Sequence, residues 1–173
     1  MTFSQGNEEN YILQYFGVAK SADNKNRVYV ELGAFDGVTN SNTRALQLAG
    51  WAGVLIEPNP APFKTLIKRR ADDITACYDV AVVGSEAVKE VLFTVFDTIP
   101  QFSGLYPDSA KTIAETRALK KAHNPKQIKV KAMTLGDIML DFYDGEAGHI
   151  DFLSVDVEGT EQDALSGLNF DLS

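Results

Sequence analysis

Three short apolar segments alternate with helix-like stretches in the first half of the chain, and this alternation constrains the fold more than any other feature. The apolar segments are residues 28–33, 53–57 and 74–83, and the stretches 41–49 and 61–70 between them have helical patterns. A strand–helix–strand–helix–strand order within about sixty residues is typical of a parallel sheet wound with helices. Continuously apolar strands also fit a sheet that is covered on both faces. The sequence therefore predicts an α/β fold with a mostly parallel sheet and helices on both faces.

The alternation breaks after residue 83. Segments 90–96 and 127–132 are again strand-like, and they bracket a polar stretch, residues 98–126, with a predicted helix over about 109–122. Because long polar insertions often close over a substrate, we interpret residues 98–126 as a candidate lid. Thr134 with Asp137 three residues later indicates a helix start, in an acidic variant of the capping box. Residues 150–156 predict a fourth buried strand, followed by a helix over 160–168, and we expect residues 1–173 to form a single domain.

Charge and composition exclude several classes of function. The chain has 16 Lys and Arg against 24 Asp and Glu, a net charge of -8. It therefore lacks the basic surface that non-specific nucleic-acid binding needs, and anionic membranes are disfavoured for the same reason. The single cysteine, Cys77, excludes an internal disulfide and a cysteine-based zinc site. Without a membrane span or signal-peptide pattern in the sequence, we expect a cytoplasmic protein with no nucleic-acid or membrane partner.

The segment ELGAFDG, residues 31–37, joins the first strand to the first helix of this alternation. Gly33 directly after the strand lets the backbone approach a ligand, and the nearby helix start supplies unpaired N–H groups. The dinucleotide fingerprint needs glycines where Phe35 and Val38 stand, which argues against a nucleotide-dependent oxidoreductase. Glu31 lies inside the apolar strand, and a buried carboxylate must find donors. Either the N–H groups of the following loop or a ligand ammonium would serve.

Acidic side chains stand at or near the ends of the other strands. Glu57 ends the second strand, about two dozen residues beyond Gly33, where a carboxylate can hold both hydroxyls of a ribose. Asp79, on the third strand, either accepts a hydrogen bond from an adenine amino group or is a solvated acid. Asp156 and Glu158 end the fourth strand and share one side of an extended backbone. They either line the crevice in which open α/β sheets bind ligands or hold Mg²⁺ or Ca²⁺, although no third ligand is evident.

Taken together, these blocks resemble the FkbM-type methyltransferase family. The matching segments are ELGAFDGVTNSNT (31–43), GWAGVLIEPNP (50–60) and IDFLSVDVEGTE (150–161), and the opening residues 4–9 resemble the family's amino-terminal motif. The resemblance implies a Rossmann-like class I methyltransferase fold that uses S-adenosylmethionine. It also implies methyl transfer to a hydroxyl oxygen of a sugar or natural product, so a small-molecule acceptor is the expected partner.

The resemblance also implies roles for individual residues. The residues expected to bind the cofactor are Glu31, Gly33, Ala34, Phe35, Asp36, Glu57 and Asp79. Asp156 and Glu158 would line the methyl-transfer crevice, and one of them is our candidate general base. Gln5 would reach the site from the first helix. The basic run 68–70 we interpret as a helix end whose cations complement the helix dipole.

The length of the chain departs from the family pattern. Chains with this fold run on through about three more strands, so we expect that this sequence lacks the last strands of the fold. Their loss would leave an apolar strand at an exposed edge, which proteins avoid. Either the sequence is a fragment truncated at its C-terminus, or a partner chain, such as a second copy in a homo-oligomer, covers that edge. A non-catalytic cofactor-binding or assembly module with the same fold is therefore the alternative to an enzyme.

Overall fold

Two structural units make up the described part of the chain. The computed structural model describes residues 3–17, 24, 26–105, 121 and 123–168. The first unit consists of Met1–Tyr78 with Ala147–Val155, and the second of Asp79–Glu146 with Asp156–Ser173.

The first unit contains the predicted alternation of strands and helices. Its elements are α1 (Glu8–Tyr15), β1 (Val28–Leu32), α2 (Arg44–Leu48), β2 (Ala52–Ile56), α3 (Pro60–Arg70), β3 (Thr75–Tyr78) and β7 (Phe152–Val155). The four strands form one sheet in the order β3-β2-β1-β7, and every pairing is parallel. Because β1 is central, its carboxyl end lies between those of β2 and β7. The predicted α/β class with a mainly parallel sheet is confirmed.

The core of this unit depends on a close approach between β1 and β2. Tyr29 of β1 and Trp51 before β2 are fully buried, together with Leu46, Leu55 and Leu66. Gly53 lies directly opposite Tyr29 in the parallel register. A Cβ atom added to Gly53 would lie 2.0 Å from Cζ of the Tyr29 ring. The absence of a side chain at Gly53 therefore makes room for the tyrosine.

The second unit has its own, smaller sheet. Its elements are β4 (Val80–Val82), β5 (Glu90–Val95), a 3₁₀ turn (Pro100–Phe102), β6 (Lys126–Met133), α4 (Leu135–Phe142) and α5 (Glu161–Ser166). The strand order is β4-β6-β5, with β4 parallel and β5 antiparallel to β6. Thr134 begins α4 as expected, since its hydroxyl accepts a hydrogen bond from the Asp137 N–H at 3.0 Å.

Two sequence-based expectations need comment here. The prediction of one strand over 74–83 is wrong, because the segment forms two strands in different sheets with the exposed Asp79 between them. A strand-like pattern in the sequence indicates that a segment is buried, but it does not show whether the whole segment pairs within one sheet. Residues 106–120 and 122 lie outside the described part of the chain, so the lid over 98–126 and its helix stay predictions. No helix among the described residues is long and apolar enough to cross a bilayer.

We predict that Gly53→Ala lowers the free energy of unfolding by about 2–3 kcal/mol, since the new methyl group overlaps a buried ring that has no room to move. Chemical denaturation followed by fluorescence of Trp51, the single tryptophan, measures the loss.

Gly50→Ala is the matched control. An added Cβ there meets no atom within 4 Å, but the residue has a φ of +93°, so only backbone strain of about 1 kcal/mol is expected. Equal losses in the two variants would contradict the packing argument.

Candidate functional site

The loop that follows β1 crosses the carboxyl end of β2. We call residues 33–43 the glycine loop. The N–H groups of Gly33 and Ala34 both donate to the carbonyl oxygen of Ile56, each at 3.0 Å. Phe35 then takes a positive φ of 49°, which is uncommon for a residue with a side chain. The surrounding contacts must therefore hold the loop in this conformation.

Glu57 lies directly beyond β2 and is bonded to this loop. Its Oε2 accepts a hydrogen bond from the Phe35 N–H at 3.0 Å, and its Oε1 accepts one from the Asn59 N–H at 2.7 Å. The residue is only 6% exposed. Burial raises the pKa of Glu57 to about 7, although the two N–H groups favour the charged form. Since each carboxylate oxygen has a further lone pair, Glu57 retains acceptor capacity for a ligand.

Glu31 is also buried, but it serves the glycine loop itself. Its Oε2 accepts hydrogen bonds from the hydroxyls of Ser41 (2.9 Å) and Thr43 (2.7 Å), and its Oε1 accepts one from the Asn42 N–H (2.9 Å). Burial raises the pKa of Glu31, and Arg70 together with these donors opposes the rise. The sequence left two kinds of donor open for Glu31, the N–H groups of the following loop and a ligand ammonium. In the structure, an N–H group and two hydroxyls of the loop donate to Glu31.

Arg70 is the residue that sequence reasoning missed. Its side chain has no exposed surface, and its Nη1 lies 3.8 Å from Oε2 of Glu31. Each N–H of the guanidinium has an acceptor, and the acceptors are the side-chain oxygen of Gln47, the carbonyl of Gly37 (2.6 Å), and the hydroxyls of Ser41 (3.1 Å), Tyr29 (3.2 Å) and Thr43 (3.0 Å).

Arg70 does lie in the last turn of α3, as expected, but its guanidinium is buried and bonded within the chain, which the interpretation of residues 68–70 as dipole partners did not foresee. The spacing of α3 contained the signal, because Arg70 follows the buried Pro62 and Leu66 at intervals of four and so lies on the buried face of the helix.

Asp36 is occupied within its own turn. Its carboxylate accepts hydrogen bonds from the Val38 N–H and from the N–H and hydroxyl of Thr39, and it forms an ion pair with Arg69 at 2.5 Å. Burial raises the pKa of Asp36, but these partners outweigh burial and leave the pKa below its ordinary value. The carboxylate thus braces the glycine loop from the solvent side.

The remaining predicted site residues belong to other parts of the chain. Gln5 is exposed in the turn before α1, and Asp79 is exposed between β3 and β4. In the second unit, Asp156 is exposed and Glu158 is half-buried with a positive φ of 56°. Burial, with a smaller effect of Asp156 and Glu161, raises the pKa of Glu158. The roles of these residues stay predictions.

The structure thus brings part of the predicted site together. Around the glycine loop it gathers Glu31, Gly33, Ala34, Phe35, Asp36 and Glu57. Separately, Glu158 lies near Asp156. Within the described ranges, no group of three or more His, Cys, Asp or Glu side chains is placed to hold a metal ion.

Comparison with known proteins identifies the family. The family model for the methyltransferase FkbM domain matches residues 31–173. The chain belongs to this family. No curated protein and no solved structure gives a significant match. Membership of the FkbM family confirms the resemblance and the class I methyltransferase fold, and it supports methyl transfer from S-adenosylmethionine as the general activity.

We predict that Arg70→Met lowers the free energy of unfolding of this FkbM domain by about 3–5 kcal/mol, because it leaves the Glu31 charge buried without its partner. Denaturant unfolding followed by Trp51 fluorescence gives the difference from the unchanged protein.

Arg69→Met provides the control for loss of a neighbouring cation. The Arg69 side chain is 46% exposed, and exposed ion pairs contribute about 0–1 kcal/mol. A loss for Arg70→Met that is no larger than the loss for Arg69→Met would contradict the buried network.

Proposed function

We propose that this chain is an S-adenosylmethionine-dependent methyltransferase that transfers a methyl group to a hydroxyl oxygen of a sugar or another small molecule. Family membership supports the general activity. The observation that carries the cofactor site is the buried Glu57 carboxylate, which is hydrogen-bonded to the glycine loop and has lone pairs to spare.

The residues around the glycine loop have the chemistry that an adenosyl group requires. A ribose presents two adjacent hydroxyl donors, and a carboxylate at the carboxyl end of the second strand is suited to accept from both. The two oxygens of Glu57 each hold one backbone N–H at present, so each can accept one further hydrogen bond. We therefore assign Glu57 to the ribose and the backbone of residues 33–35 to the loop that lies against the cofactor. Asp79 is the proposed acceptor for the adenine amino group.

The protein's contribution to the chemistry would be orientation and proton removal. S-adenosylmethionine supplies, when bound, a methyl group that is activated on a sulfonium. A hydroxyl acceptor loses its proton as the oxygen attacks, and a nearby carboxylate assists this. We assign that role to Glu158, with Asp156 as the second candidate. Burial raises the pKa of the half-buried Glu158, and a carboxylate whose pKa is raised is a stronger base.

We predict that S-adenosylhomocysteine binds the protein and that Glu57→Gln weakens the binding at least about tenfold, since an amide offers one acceptor oxygen where the carboxylate offers two. Isothermal titration calorimetry measures the affinity, and the melting temperature verifies that the variant is folded. NAD should give no thermal shift.

The pH dependence provides an internal control for this assignment. The ionised Glu57 accepts from the ribose better than the neutral acid, so binding should weaken as the pH falls through about 7. Below that pH the affinity for S-adenosylhomocysteine should fall and then level off at a loss of about tenfold, as in Glu57→Gln, and in Glu57→Gln it should not change between about pH 6 and pH 8. A profile shared by both proteins would remove Glu57 from the ribose site.

We predict that Glu158→Gln lowers turnover about 10²- to 10⁴-fold with little change in affinity for S-adenosylhomocysteine, because a general base acts on the acceptor and not on the cofactor. The assay is formation of S-adenosylhomocysteine with a panel of sugars and other hydroxyl compounds. Asp156→Asn tests the second candidate, and Glu86→Gln, at an exposed position, controls for loss of one negative charge.

The same assay separates the enzyme from a binding module. Turnover on at least one acceptor, lost in Glu158→Gln or Asp156→Asn, supports the enzyme. Tight binding of S-adenosylhomocysteine without turnover on any acceptor would favour the non-catalytic alternative.

A further inference from the structure

We infer that Arg70 is a positioning residue for the cofactor site: it holds the glycine loop in the conformation in which the Phe35 N–H meets Glu57. This inference rests on the proposed function. The inference also changes the role of Glu31, which was expected to bind the cofactor. Glu31 would instead hold the glycine loop, together with Arg70, and would not contact the cofactor.

The hydrogen bonds of Arg70 support positioning over ligand binding. Every N–H of the guanidinium already has an acceptor within the chain, so none remains for a ligand. Two acceptors, on Tyr29 and Gln47, belong to β1 and α2. The other three, on Gly37, Ser41 and Thr43, belong to the glycine loop. The guanidinium therefore ties the loop to the sheet and to a packed helix.

Glu31 completes the attachment from the opposite side. The hydroxyls of Ser41 and Thr43 donate their protons to Glu31 and accept hydrogen bonds from Arg70. The end of the loop is thus held between a buried carboxylate and a buried guanidinium. Asn42 lies between Ser41 and Thr43 in the sequence. Its side-chain amide donates a hydrogen bond to the hydroxyl of Ser154 in β7, at 3.1 Å.

This attachment acts at a distance on Phe35. The beginning of the loop is fixed by the bonds of Gly33 and Ala34 to Ile56, and its end is fixed by Arg70 and Glu31. With both ends held, the loop keeps the uncommon positive φ of Phe35, which aims its N–H at Glu57. Release of the distal end should let Phe35 relax and should weaken the site even though no cofactor contact is removed.

Thr43→Val tests this inference, with Thr75→Val as its matched control. Both substitutions remove a buried threonine hydroxyl while keeping the branched shape. Thr75 bonds to Tyr29 and Gln47, which also contact Arg70, but it lies in β3 and not in the loop. We expect similar falls in melting temperature for the two variants. Only Thr43→Val should weaken S-adenosylhomocysteine binding, by about tenfold in calorimetry.

A second pair of variants protects the test against a folding defect. Thr43→Ser keeps the bridging hydroxyl and should restore the affinity to within about twofold. Ser41→Ala removes the other bridging hydroxyl and should reproduce the loss. Wild-type affinity in both Thr43→Val and Ser41→Ala, or an equal loss in Thr75→Val at equal stability, would overturn the inference.

Hydrogen exchange of the Phe35 amide distinguishes a failure of this inference from a failure of the proposed function. In the free protein, Thr43→Val should accelerate that exchange about tenfold relative to Thr75→Val. If the unchanged protein does not bind S-adenosylhomocysteine, the proposed function fails, but accelerated exchange still supports the positioning role. Equal exchange at Phe35 in the two variants would overturn the positioning role, whether or not the ligand binds.

Discussion

A buried ion pair between Arg70 and Glu31 is the interaction on which the rest of the site depends. Two charges that lie 3.8 Å apart, with the Arg70 side chain fully buried and the Glu31 side chain 6% exposed, are stable only when their remaining donors and acceptors are satisfied. Here the loop supplies those groups, through the hydroxyls of Ser41 and Thr43. The ion pair therefore does not simply stabilise the core: it needs the loop in one conformation, and the loop needs the ion pair.

Glu31 and Glu57, two buried glutamates of the first unit, differ in role because their surroundings differ. Glu31 has a cationic partner and three donors from the loop, so its hydrogen-bonding capacity is largely spent. Among the described residues, Glu57 has two backbone N–H groups as hydrogen-bond partners, and burial raises its pKa to about 7. Additional hydrogen-bond donors would stabilise the ionised form of such a buried carboxylate, and a ligand can supply them. The contrast favours Glu57 as the ligand-binding member of the pair and Glu31 as the structural one.

Much of the fold and part of the site follow from the sequence alone. The apolar segments around Gly33 and Glu57 predicted the strands, because a strand buried on both faces reads as a continuous apolar run. Glu57 was predicted as a site residue from its position at a strand end, and the hydrogen bond from the Phe35 N–H shows that it lies beside the glycine loop. Arg70 was missed because three basic residues in a row at a helix end were interpreted only as partners of the helix dipole. The spacing of four from Pro62 and Leu66 shows that Arg70 lies on the buried face of the helix. Asp36 braces its own turn, a local arrangement that no strand-end rule describes.

The most direct test of the account is a crystal structure of the protein grown with S-adenosylhomocysteine. The account predicts that both ribose hydroxyls lie within about 3 Å of the Glu57 carboxylate oxygens, with the Phe35 N–H still bonded to that carboxylate and the Arg70 contacts unchanged. A bound ligand whose ribose lies elsewhere, with Glu57 touching only its backbone partners, would contradict it.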